Sequence, residues 1–328
     1  MLKKISIVTF LILIIACNSS KKESEKEVKS SNIKTATLAY KTKAVLGEGA
    51  IWNYKTQELY WVDIEGKQLN VFNPKSKENK VLKTKSRIGT VVPFTKEEVL
   101  IALEDGVHKM NLNSGESALF TNMKNELPGS RLNDGKCDPA GRFWVGSMHF
   151  NQLKNKANLY TITSENTLVK KVDSVTISNG IVWTSDKKIM YYIDTPTSSI
   201  KAFDYDNKTG EITNGKVVVK IPESLGFPDG MTIDEENMLW VGMWNGNAVI
   251  RFNPINGKVI SKIEVPAHNI TSCAFGGENL DILYITSASV DMTPEEVKKY
   301  PLAGSVFKIK PGVKGVNSNF YIENKSTK

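Results

Sequence analysis

Histidine and cysteine are scarce in this 328-residue chain, with three of each, and that scarcity removes whole classes of chemistry. No CxxC pair and no Cys/His cluster is present, so nothing suggests a zinc site. Helical signals are almost missing as well. Only TPEEVKKY, residues 293–300, carries a capping pattern followed by a short helical turn. The formal charge of +8 is spread along the chain instead of massed in a basic stripe, and no zinc-finger, basic-zipper or RNA-binding aromatic motif goes with it. Nucleic acid is therefore not an expected partner. The apolar run from Ile5 to Ala16, twelve residues behind Lys3 and Lys4, is too short to span a bilayer and has the length and flank of a signal peptide.

What the chain has instead is a repeat. Six segments rich in aromatic and branched residues, ELYWVDI, EVLIALED, RFWVGSM, KIMYYIDT, MLWVGMW and DILYITSA, read as strands. Each is followed by a second strand, and most of these lead into turn residues such as NSGE, DNKTGE or NPINGK. A further short strand follows in five of the six, which gives four antiparallel strands per unit once an opening strand is counted. The opening strands share a phase, best seen in RLNDGKCDPAGRFWVGSM (131–148): a polar residue, an apolar residue four later, then a polar turn. In that phase stand Glu48, Thr90, Asn133, Asn179, Asp229 and Thr271, at intervals of roughly 42 to 50 residues, which is the range of a propeller blade. The fold class is therefore all-β, a six-bladed β-propeller. The sixth unit lacks its own fourth strand, and ATLAYKTKAV (36–45) is a spare one, expected to close the ring and remove its exposed sheet edges. An open β-sandwich needs neither the constant period nor the spare strand.

The opening strand of each blade lines the central channel, so the six phase residues are expected to converge at one mouth. They offer oxygen ligands and neither histidine nor thiolate. Such a set suits a hard cation, Ca²⁺, Mg²⁺ or Mn²⁺, better than Zn²⁺.

The motifs GEGAIW, RLNDGKCDPAGRFWVGSM, ISNGIVWTSDKKIMYYID, AFDY, FPDGMTID and TSCAFGG, in this order between residues 45 and about 316, resemble the regucalcin/gluconolactonase family, also called senescence marker protein. The resemblance implies a six-bladed propeller that hydrolyses sugar lactones with one divalent metal in its channel, and D-glucono-1,5-lactone as the default substrate. It places metal ligands on Glu48, Asn179 and Asp229, and substrate-binding residues on Arg131 and Asn133. Where better-known animal members carry a substrate-binding glutamate, this chain reads HFNQLKN, with Asn151 at the corresponding place and His149 beside it. Asp229, ligand and neighbour of the reacting water, is the candidate general base. Asp134 is expected to hold Arg131 or a loop amide. The alternatives are an esterase or phosphotriesterase-type hydrolase on the same scaffold, and a non-catalytic propeller whose cation is structural.

Four segments follow: a signal peptide at 1–16, a polar tether at 17–34, the propeller at 35–316 and a C-terminal tail at 317–328. LIIAC resembles the bacterial lipobox, which implies cleavage before a lipidated Cys17 and attachment to a membrane of the bacterial cell envelope, with the outer membrane the first expectation. A monomer is expected. Cys137 and Cys273 open blades three and six, opposite one another, and should stay unpaired.

Overall fold

The computed structural model describes residues 34–323, apart from residues 125 and 164. The expected signal peptide, the expected lipidation site Cys17 and the tether up to residue 33 lie outside the described residues.

Two short strands, β1 (Lys34–Thr35) and β2 (Thr37–Tyr40), open the described chain. Blade one runs through β3 (Gly47–Asn53), β4 (Glu58–Asp63), β5 (Gln68–Asn73) and β6 (Glu78–Lys83). Blade two holds β7 (Thr90–Pro93), β8 (Glu98–Ala102), β9 (Gly106–Asn111) and β10 (Ser117–Asn122), and blade three β11 (Ser130–Cys137), β12 (Phe143–His149), β13 (Ala157–Ile162) and β14 (Leu168–Val175). Blade four comprises β15 (Ser178–Trp183), β16 (Ile189–Asp194), β17 (Ser199–Asp206) and β18 (Glu211–Lys220). Blade five comprises β19 (Phe227–Ile233), β20 (Leu239–Trp244), β21 (Ala248–Phe252) and β22 (Val259–Glu264). Blade six has β23 (Asn269–Gly276), β24 (Ile282–Ala288) and β25 (Val306–Ile309), with β2 as its outermost strand. The fold is the six-bladed propeller expected from the repeat.

Ring closure follows the expected route. Thr37, Leu38 and Tyr40 pair antiparallel with Lys308, Phe307 and Val306, so the first part of the domain completes its last blade. Lys34, assigned by sequence to the tether, goes further: β1 pairs parallel with β22, Lys34 against Ile263 and Thr35 against Glu264. The N-terminal segment thus spans the outer edges of blades five and six.

The second strand of each blade is apolar in unbroken runs because blades stack face to face and bury it on both sides. Leu59, Tyr60, Trp61 and Val62 are all fully buried. The fourth strands face water on one side, and Val81 in β6 and Leu119 in β10 are exposed there. The short helix α1 (Pro294–Lys299) lies between β24 and β25, with Thr293 accepting from the Glu296 amide and the Glu296 carboxylate accepting from the Thr293 amide. Cys137 and Cys273 are both free and buried.

At the base of blades three and five the same device recurs. Asp138 accepts hydrogen bonds from the amides of Ala140 and Arg142, from Arg142 Nε at 2.6 Å and from Trp144 Nε1 at 2.9 Å. Asp234 accepts from the amides of Glu236 and Met238, from Trp240 Nε1 at 2.9 Å and from Arg251 Nε at 2.8 Å. Neither carboxylate is exposed at all. The DPAGRFW and DEENMLW segments build it: the Asp closes the turn and receives the indole six residues on.

One boundary shifts. Residues from 317 were expected to form a separate tail, but those described cross the lower face of the ring. Ser318 Oγ donates to Trp52 O, Asn319 Nδ2 to Cys137 O at 3.1 Å, and the Tyr321 and Ile322 amides to Pro93 and Gly141 carbonyls. Tyr321 is buried edge-on between Phe94 and Phe120. Asn317, Ser318 and Asn319 of this strap line one side of a small cavity of about 70 Å³ at the lower end of the channel.

Candidate active site

The phase residues sit where the inner strands are irregular. In blades one, three, four, five and six the pairing of first and second strands slips, between Glu48 and Ile51, Leu132 and Gly135, Ser178 and Ile181, Pro228 and Met231, and Ile270 and Cys273. A bulge of this kind re-aims a side chain out of the ladder, here toward the channel. Blade two pairs without a slip from Thr90 to Pro93. Glycine follows the phase residue in three blades, and in blades four and five the next inner strand comes close to it. A Cβ on Gly180 would lie 2.6 Å from Met231 Cβ and 2.8 Å from Asp229 O, and Gly49 has φ +60°.

Glu48, Arg131, Asn133, Asn179 and Asp229 all line one cavity of about 510 Å³ at the upper mouth, although each is at least nine-tenths buried. Thr90 and Thr271 do not reach it. They stitch neighbouring inner strands instead, Thr90 Oγ1 donating to Gly135 O at 3.2 Å and Thr271 Oγ1 to Gly47 O at 2.5 Å.

Glu48 and Asp229 both line this cavity, near enough for their carboxyls to act on one another. Burial first, and the nearby Asp134 charge second, push the Glu48 carboxyl up to about 8. Burial, then Glu48 itself, hold Asp229 well above the ordinary carboxylate range. Burial likewise lowers Arg131 to about 10, opposed by the Glu48 charge. Arg131 Nη1 donates to Asn133 Oδ1 at 2.6 Å and Leu132 O at 3.1 Å, which fixes the side chain while leaving other guanidinium donors for a ligand. Asn133 Nδ2 donates to Ser178 O at 2.7 Å and to Asn179 Oδ1 at 3.1 Å. Asp134 accepts from the Gly135 amide at 2.7 Å, as a loop-amide role predicts, and does not hold Arg131. Its second oxygen is buried without a partner among the described residues.

Asn151 does not join the group. It is exposed, and its amide donates to His149 Nδ1 at 3.0 Å, while its neighbours Phe150 and Gln152 line the cavity. The left-handed φ of +49° at Gln152 marks where the loop turns. His149 is nine-tenths buried with Nε2 against Pro128 O at 3.1 Å, and does not line the cavity. His108 and His268 pair with Asp105 and Glu296.

Sequence reasoning missed the rim: Glu65, Gln152, Thr195, Trp244, Asn245 and Asp291. Five of them follow the second strand of their blade by one to three residues, and Trp244 is the last residue of β20. One wall is held by ionic contacts, since Arg87 Nε donates to Glu65 at 2.8 Å, Arg87 Nη1 to Glu104 at 3.2 Å, and the guanidinium stacks 4.9 Å from the Phe150 ring.

Two carboxylates buried against one another need a proton or a cation between them. Glu48, Asp229 and the amide oxygen of Asn179 form an all-oxygen donor set, and this fits a hard divalent cation. Among the described residues no three His, Cys, Asp or Glu side chains form a metal-binding group. The third ligand of this set would be an amide.

Comparisons with known proteins place the chain in a family. Residues 46–289 match the family described as SMP-30/Gluconolactonase/LRE-like region. The chain is 40% identical over 272 residues, 83% of its length and 93% of the relative's, to the Bacillus subtilis (strain 168) protein named "Putative sugar lactone lactonase YvrE". It is 38% identical to regucalcin of Danio rerio over 84% of this chain and 94% of that one. The crystal structure of a calcium-binding protein, regucalcin, from Agrobacterium tumefaciens superposes with a TM-score of 0.84 at 25% identity, covering 89% of this chain and 99% of that one. On the repeat, the fold, the site and these matches, the chain belongs to the SMP-30/gluconolactonase/LRE-like family.

Proposed function

We propose that this protein hydrolyses a sugar lactone, D-glucono-1,5-lactone being the reference substrate, with one divalent cation held by Glu48, Asn179 and Asp229. The observation that carries the reading is the buried Glu48–Asp229 pair, set beside Arg131 and Asn133 at the floor of a cavity large enough for a small ligand. The sugar lactonase description of the Bacillus subtilis relative supports it. A cation bound there supplies Lewis-acid polarisation of the lactone carbonyl. Asp229 takes a proton from the water that adds to that carbonyl, then returns it to the ring oxygen as the C–O bond breaks, so lactone plus water gives the hydroxy acid. Arg131 presents donors toward the sugar hydroxyls and the carboxylate that forms, and Asn133 holds Arg131 in register.

Anchoring through a lipidated Cys17 at the cell envelope is part of the same proposal, supported by the LIIAC sequence behind a short apolar run.

One observation favours a second reading. Leu46, Ile64, Met148, Phe150, Phe227 and Trp244 give the cavity a largely apolar wall, which suits an apolar ester better than a polyhydroxylated ring.

The test is a substrate panel of aldonolactones, aryl esters and phosphotriesters, assayed after chelation and after return of Ca²⁺, Mg²⁺ or Mn²⁺. Aldonolactone opening restored by a metal is expected. Turnover of aryl esters or phosphotriesters alone would replace the lactonase reading with the second one, and full lactonase activity after chelation would remove the cation.

A further inference from the structure

The carboxylate pair and Arg131 are accounted for above, but one hydroxyl at the rim touches one proposed cation ligand and the residue just before another. Thr195 follows β16 in blade four. Its Oγ1 receives a hydrogen bond from Asn179 Nδ2 at 2.7 Å and donates one to Pro228 O at 2.8 Å, the carbonyl immediately before Asp229 in blade five. The backbone around it is fixed from the same strand end. The Asp194 carboxylate accepts from the amides of Thr176 and Ile177, and the Thr195 amide donates to Ile177 O. Ile177 lies two residues ahead of Asn179.

The direction of these bonds is determined by chemistry. A hydroxyl has one hydrogen, and a carbonyl only accepts, so the Thr195 hydrogen must go to Pro228 O. What Thr195 turns toward Asn179 is then a lone pair, which only the NH₂ end of the amide can satisfy. The Asn179 amide is thereby locked with Oδ1 facing the channel, where it receives Asn133 Nδ2 at 3.1 Å. Were the amide reversed, its NH₂ group would face the place of a cation and Oδ1 would meet a hydroxyl lone pair.

We infer that Thr195 is the positioning residue of the cation site: it selects the ligating face of Asn179 and ties the blade-four ligand to the strand that carries Asp229. This rests on the cation reading above and adds to it a residue outside the ligand set. Residues that orient ligands in this way typically contribute about 10- to 100-fold to metal affinity.

The experiment is calorimetric titration of the chelator-treated protein with Ca²⁺, Mg²⁺ and Mn²⁺, alongside metal-free melting curves, for the parent, Thr195→Val and Thr195→Ser. Thr195→Val keeps the shape and removes both hydrogen bonds, so its affinity should fall about 10- to 100-fold while its metal-free melting temperature stays close to the parent's. Thr195→Ser restores the hydroxyl and should restore affinity, and lactone turnover by Thr195→Val should recover most of its kcat when metal is saturating. Should Thr195→Val fail to fold, Thr195→Ala carries the same expectation. Binding by either variant within twofold of the parent overturns the assignment, as does a loss that serine fails to rescue. A parent that binds none of the three cations overturns the cation reading itself, and the role of Thr195 with it.

Discussion

Asp138 and Asp234 at the base of the blades, and Glu48 and Asp229 at the mouth, are four buried carboxylates in one molecule, and they are treated in opposite ways. Each basal carboxylate accepts two backbone amides, an indole and an arginine. Such a group is saturated, and removing it would strand the donors around it. At the mouth, Glu48 accepts one backbone amide, from Gly49 at 3.0 Å, and otherwise faces another carboxylate. Donor supply, more than burial, separates a carboxylate that holds a turn from one kept available for a ligand.

The sharpest way to break this contrast is Asp229→Asn. It keeps an oxygen in place and removes the base, so turnover should fall by about 10² to 10⁴ with the fold intact. Turnover within tenfold of the parent, measured with metal saturating, would show that Asp229 is not the base.

The basal counterpart should fail in the other coordinate. Asp138→Ala leaves Arg142 and Trp144 without their shared acceptor and should cost about 3–5 kcal/mol in urea unfolding. Activity per folded molecule should stay near parental. If Asp138→Ala instead spared stability and lowered turnover, saturation with donors would not mark a structural role.

A smaller effect comes from pH. The Glu48 carboxyl stands at about 8 in the folded state against 4.5 for its ordinary value. Below pH 4.5 it is protonated whether folded or unfolded, and its contribution to stability is present in full. As pH rises from 4.5 toward 8 the unfolded chain ionises there while the folded one retains its proton, so stability falls. The metal-free protein should therefore melt several degrees lower at pH 8 than at pH 5, and the gain on adding a divalent cation should grow over that interval. Melting curves that rise with pH in the absence of metal would contradict the uncompensated pair.

The blades and the convergent residues were legible because both rest on repetition. Strands such as ELYWVDI and MLWVGMW are buried on both faces and so read as continuous apolar runs at a constant interval. Glu48, Asn179 and Asp229 each precede a glycine at the same phase, since the bulge and the close neighbouring strand impose that pair together. Asn151 was misread for lack of such a constraint. Which of residues 150–152 enters the cavity depends on where the chain reverses after β12, and a left-handed glutamine carries no sequence signal for it. Thr195 was invisible for another reason: its hydroxyl matters through two partners 16 and 33 residues away. The repeat does not predict the strap, because SNFYIE has no place in it and its partners lie more than 180 residues back.

That strap decides how blades far apart in the chain are held together. Ser318 reaches Trp52 O in blade one, Tyr321 reaches Pro93 O in blade two and Asn319 reaches Cys137 O in blade three, so one short segment clasps three blades. Detachment of that one segment would loosen all three together.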